Sequence, residues 1–152
     1  MTTPAKQLTA FIAKFDPSVA KLVRSARSVL RKRFPTAIEL VYDNYNALAI
    51  GYSTSERVSD VLFSLAVYPR WVDLYFMYGR SLPDPKRLLQ GSGKQGAFVR
   101  LYDPSMLDHG PVQLLLEAAV QNANSPLPAK GKGYTVIKSI SAKQRPRRPT
   151  RG

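Results

Sequence analysis

The stretch IELVYDNYNALAIGY, residues 38–52, decides the fold class. Two runs rich in β-branched and aromatic residues, IELVY (38–42) and ALAIGY (47–52), flank the turn formers Asp43, Asn44 and Asn46, which is the signature of a β-hairpin. The pattern recurs directly downstream. VLFSLAVY (61–68) and WVDLYFMY (71–78) are separated only by Pro69 and Arg70 and predict a second hairpin. AFVRLY (97–102) adds another strand after GRSLPDPKRLLQGSGKQG (79–96), whose four Gly and two Pro predict a long loop with one helical turn around Pro85 to Leu89.

Helical periodicity brackets these strands. Leu8, Phe11, Ile12 and Phe15 predict a short helix within 4–15. A stronger one follows, with Asp16 as N-cap, Pro17 at the first helical position, an apolar stripe from Val19 to Leu30, and Pro35 as terminator. Its opposite face carries Lys21, Arg24, Arg31 and Lys32, as a solvated surface would. Gly110 and Pro111 open a C-terminal helix with Val112, Leu115, Leu116, Ala119 and Val120 on one side. The order predicts an α+β fold: a mostly antiparallel sheet of five or six strands packed against N- and C-terminal helices, and not a βαβ nucleotide fold. The domain is expected to span 1–124, with a linker at 125–133 and a basic extension at 134–152. Within the extension, YTVIKSI (134–140) is a candidate edge strand, and SAKQRPRRPTRG from about 142 is expected to be disordered, having no apolar group to bury.

Charge is unevenly placed. The chain holds 23 Lys and Arg against 10 Asp and Glu, a net +13. Eight of the cations and none of the acids lie from Pro126 onward, which leaves 15 against 10, or +5, for residues 1–125. A polyanion would therefore meet the tail first, and Lys143, Arg145, Arg147, Arg148 and Arg151 are the candidate nucleic-acid contacts. There is no cysteine, so a disulfide framework, a thiolate metal site and a thiol nucleophile are excluded. The lone histidine, His109, reads as a solvated turn residue and cannot build a multi-histidine site. No apolar run approaches the length of a membrane span, and a cytoplasmic location is expected. Nothing calls for a cofactor.

Three chemistries are worth weighing. Glu39, Asp43 and Asp73 lie on or beside strands and are the candidates for acid–base work, although Glu39 and Asp43 stand too far apart along a strand to share one proton. Gly91-Ser92-Gly93-Lys94-Gln95 invites a phosphate-loop reading but lacks the earlier Gly and the following Ser or Thr, and it precedes a strand where a P-loop precedes a helix. Strand aromatics beside cations are one way to stack bases, but such residues more often serve as core or cross-strand pairs.

Tyr42-Asp43-Asn44-Tyr45-Asn46, Tyr68-Pro69-Arg70-Trp71-Val72 and Leu89-Gln90-Gly91-Ser92-Gly93-Lys94-Gln95 resemble the YdhG-like family, a bacterial group of domains of unknown function, as does the helix start Phe15-Asp16-Pro17. The resemblance covers about residues 8–123, and Ser139 to Arg148 looks like the ending of one subgroup. It implies a compact α+β fold with an antiparallel sheet and no established activity. Some members carry a frataxin-like iron-chaperone assignment, which needs clustered carboxylates; here the ten acids are scattered and the first strong helix is basic. The expectation is a non-catalytic binding module for a small anionic ligand or protein partner, held in a groove of sheet and Gly-rich loop by Tyr42, Asn44, Tyr45, Trp71, Lys94, Gln95 and Arg100. The alternatives are nucleic-acid association through the tail, an enzyme working through the three carboxylates, and iron binding.

Overall fold

A computed structural model describes residues 2–149. Arg151, one of the tail cations singled out above, lies outside the described residues.

Helix α1 (Pro4–Ala13) begins at Thr3, whose side chain accepts from the Lys6 N–H and caps the first turn. Helix α2 spans Pro17–Arg33 with Pro at its start, as the spacing predicts, but Asp16 makes no capping bond with its side chain. Its carboxylate instead lies 3.9 Å from the Arg148 guanidinium. The strands are β1 (Ile38–Asp43), β2 (Leu48–Ser53), β3 (Val61–Val67), β4 (Val72–Phe76) and β5 (Ala97–Leu101), followed by α3 (Gly110–Gln121) and β6 (Thr135–Ile140). At the helical turn expected near Pro85 the chain makes a single hydrogen-bonded turn, with the Arg87 N–H donating to Asp84 C=O at 3.0 Å, and a separate 3-10 turn forms at Gly79–Ser81.

The six strands form one mixed sheet in the order β5-β4-β3-β2-β1-β6, so the fold is α+β. Every neighbouring pair is antiparallel except β1 and β6, which run parallel. Both hairpins close on two-residue turns: the Asn44 N–H donates to Ala47 C=O around Tyr45 and Asn46, and the Tyr68 N–H donates to Trp71 C=O around Pro69 and Arg70. The alternation read from the sequence sends Val41, Ile50, Tyr52, Phe63, Leu65, Leu74 and Val99 to one face, where they pack with Leu8, Val23, Leu30 and Leu116 of the three helices and with Phe15 between the first two. The other face has a smaller cluster, Ile38, Leu40 and Val61, sheltered by Tyr42, Met77 and Val136.

The segment 125–133 is more than a spacer. Leu127 packs on the core, Ser125 and Thr54 share a 2.7 Å hydrogen bond, and the Gly133 N–H donates to Pro35 C=O at 2.7 Å, which sets β6 in register with β1. A Cβ on Gly133 would collide with the Ala37 carbonyl. Gly133→Ala should therefore push β6 off its register, costing about 1–3 kcal/mol and speeding amide exchange in residues 135–140 ahead of the rest of the sheet. Equal protection of β6 in the variant and the parent by hydrogen exchange would contradict this.

The end from about 142, expected to be disordered, has a fixed path over residues 141–149, although it forms no helix or strand there. The Ser141 N–H donates to Asp43 C=O, Gln144 Nε2 donates to the same oxygen, and the Arg145 N–H donates to Tyr45 C=O. What holds it is polar. Arg147 is buried, with its Nη2 donating to Asp43 Oδ1 at 2.8 Å and to Asn44 C=O at 2.5 Å, and its guanidinium lies 5.7 Å from the Phe15 ring centre.

Candidate functional site

Antiparallel connection places both hairpin turns, the C-terminal end of β5 and the exit of β6 at one end of the sheet. The aromatic and cationic residues of those turns therefore meet. Tyr68 and Trp71 lie with ring centres 5.4 Å apart, and the Arg100 guanidinium sits 4.7 Å from the centre of the Trp71 ring. Arg100 is directly opposite Asp73 on the neighbouring strand and donates to it through Nε at 2.9 Å. That hydrogen bond is the main reason its pKa is raised, so it stays a cation. Tyr68 is pushed up first by burial and then by the Asp73 charge, which keeps its phenol protonated.

The strap of residues 141–149 runs across this end. Arg145 lies over the Tyr45 ring at 5.6 Å, and Arg148 Nε donates to Lys14 C=O at 3.2 Å. Between the strap and the Tyr68–Trp71 turn is an open groove of about 590 Å³. One wall is Tyr68, Pro69, Arg70 and Trp71; the other is Arg145, Pro146, Arg148 and Pro149, with Asn46 contributing. The lining holds three arginines and no acid. Trp71 is 38% exposed, so its ring face is open to a ligand as well as to its neighbours.

The expected ligand residues divide. Trp71 lines the groove, Arg100 backs it, and Tyr45 supports Arg145, while Asn44 takes part through its backbone carbonyl. Tyr42 is on the face opposite the helices, packed on Ile38 and Leu40, and burial raises its phenol pKa. Lys94 and Gln95 belong to the loop before β5, at the opposite end of the sheet, about 15 Å away at 3.3 Å per strand residue. Among the described residues Lys94 and Gln95 line a separate recess with Tyr78, Arg80 and Ser81, and strand direction sets it apart from the Trp71 groove. The Gly-rich loop itself is turned inside out relative to a phosphate cradle: Gly91 C=O and Gly93 C=O accept from the Arg80 guanidinium, and Gln95 C=O accepts from the Arg80 N–H. What converges in this loop is carbonyls on the Arg80 guanidinium, not N–H groups on an anion.

Of the tail cations, Arg145 and Arg148 line the groove, Lys143 is exposed beside it, and Arg147 is consumed by Asp43. Sequence reading missed Tyr68 and Arg70 as site residues, although they belong to the quoted Tyr68-Pro69-Arg70-Trp71 turn. The available signal was a two-residue turn made of Pro and Arg between aromatics.

The three strand carboxylates do not converge. Glu39 faces α2, where Arg27 donates twice, through Nε at 2.8 Å and Nη2 at 3.0 Å, while the Tyr52 hydroxyl donates at 3.0 Å and the Thr135 hydroxyl at 2.8 Å. Burial alone would raise its pKa, but the Arg27 bond and charge and the two hydroxyl bonds outweigh it and hold the carboxyl below its usual range. Asp43 belongs to Arg147 and Asp73 to Arg100. Among the described residues no three His, Asp or Glu side chains group as a metal set, and no helix is long and apolar enough to cross a membrane. No family model, curated protein or solved structure matches this chain.

Proposed function

We propose that the protein is a non-catalytic binding module that holds an anion bearing a flat ring, of which a nucleotide is the simplest, in the groove between the Tyr68–Trp71 turn and the strap. One observation carries the reading: Arg70, Arg145 and Arg148 share an open surface with Tyr68 and Trp71, and no carboxylate lines it. Guanidinium forks suit phosphate oxygens, and an aromatic face stacks a base for about 1–3 kcal/mol. The non-catalytic reading is supported by the strand carboxylates, since Glu39, Asp43 and Asp73 are each paired with an arginine of their own.

The groove's openness and the cations beyond it, Lys143 and Lys14, favour a second reading: a single strand of nucleic acid laid across this end, with one base in the groove. Salt separates the two. A strand touching five phosphates should give a log–log slope of about −3.5, and a mononucleotide a much shallower one.

Trp71 is the chain's single tryptophan, so its fluorescence reports the groove directly. ATP or oligothymidylate should quench it. Replacing Arg145 and Arg148 together by Ala, with Arg147 kept to hold the strap, should weaken binding at least tenfold. Trp71 emission that neither probe alters would sink the proposal.

A further inference from the structure

A second cavity sits at the opposite end of the sheet, and its chemistry is the reverse of the groove's. It encloses about 210 Å³ between the C-terminal end of α3 and the start of β3, somewhat more than the roughly 150 Å³ cavity that accommodates benzene. Its apolar lining comes from Leu62, Phe76, Leu82, Ala119 and Ala123, all in or packed on the main core. The polar residues of the lining are Ser59, Asp60, Tyr78, Ser81, Asn122 and Asn124. No lysine or arginine lines it, in a chain of net charge +13.

Two sources of negative potential border this space. Asp60 Oδ2 accepts from the Ser55 hydroxyl at 2.6 Å, while among the described residues Oδ1 has no protein donor. Helix α3 ends here, with Asn122 as C-cap, so the negative end of its dipole adds to the carboxylate. The nearest cation, Arg57, reaches Asp60 Oδ2 only at 3.8 Å on a side chain 78% exposed, where water screens it. The Tyr78 hydroxyl donates to Ser59 C=O at 3.1 Å, which ties two residues of the wall together.

We infer that this cavity binds a small molecule with a compact apolar body and a primary ammonium head, the body against Leu62, Phe76 and Leu82 and the head on Asp60 Oδ1. The site is independent of the arginine groove and selects the opposite charge.

The test uses the full chain and three probes of one shape: benzylamine, benzoate and toluene, followed by amide chemical shifts of Leu82, Ala119 and Ala123. Benzylamine should shift these amides, toluene more weakly, and benzoate not at all. Asp60→Asn should weaken benzylamine about tenfold and leave toluene unchanged, because only the ammonium loses its partner. Ala123→Phe, a substitution at a half-buried position on the cavity wall, should exclude all three probes while the rest of the spectrum stays dispersed. Benzoate binding as well as benzylamine, an Asp60→Asn variant with unchanged preference for the amine, or no shift with any probe would each overturn the assignment.

Discussion

Replacing Arg147 by alanine is expected to lower the unfolding free energy by about 3 kcal/mol, a fall in Tm of about 6–12 °C for a domain of this size. The pair it forms with Asp43 is the most deeply buried ion pair of the described residues, with side chains 4% and 2% exposed. Removing the cation leaves a carboxylate with no counter-charge in a site built by Phe15 and the β1–β2 turn. The effect lies near the lower end of the 3–5 kcal/mol range for broken buried pairs, because a released strap admits water to Asp43. Among the described residues Asp43 Oδ2 and Arg147 Nε and Nη1 have no hydrogen-bond partner, so the intact pair is itself imperfectly satisfied. Asp43→Leu with Arg147→Met should therefore restore most of the loss, and thermal unfolding of the two single variants and the double variant reads the coupling directly. Additive losses in the double variant would show that the two residues do not act as a pair. Because Arg147 anchors the strap that carries Arg145 and Arg148, Arg147→Ala should also remove the Trp71 fluorescence response to ATP.

Glu39→Ala is expected to cost at least as much, about 3–5 kcal/mol, since one buried carboxylate accepts from α2, β2 and β6 at once. The variant would strand the Tyr52 hydroxyl in the core and Arg27 at its edge. The pH dependence has a definite sign. The folded-state pKa of Glu39 lies below its unfolded value of about 4.3, so its contribution is complete above that pH and disappears as the pH falls through the folded value. The stability difference between the parent and Glu39→Gln should thus be constant from pH 5 to 7 and shrink below about pH 4. A difference that grows on acidification would refute the assignment of Glu39 as an ionised hub.

The two hairpins and three helices were legible because each depends on periodicity within its own ten or so residues. IELVY alternates wherever it sits, and Val19 to Leu30 makes a stripe whatever packs on it. The edge strand at 135–140 was visible for the same reason, but its parallel partner was not, since nothing local says that β6 arrives beside β1. Half of the site was legible in one sense: Trp71, Arg100, Tyr45, Arg145 and Arg148 were picked as residue types capable of holding an anion. Lys94 and Gln95 were joined to them as polar groups of the Leu89–Gln95 stretch, and strand direction sets them at the far end. The Gly-rich loop showed why glycine content does not specify a ligand. The same freedom that exposes N–H groups to a phosphate lets Gly91 and Gly93 turn their carbonyls toward Arg80.

The α+β class, the hairpin positions and the placement of positive charge all follow from short-range spacing and counting along the chain. Tertiary structure alone decided that the basic end is a strap. A segment without apolar residues has no local reason to order, so its seat had to come from a buried acid 104 positions earlier, Asp43, whose burial is stable only when a cation joins it. The same long-range pairing spent Arg147 on the fold and delivered Arg145 and Arg148 to the aromatic turn, converting a count of charges into a groove.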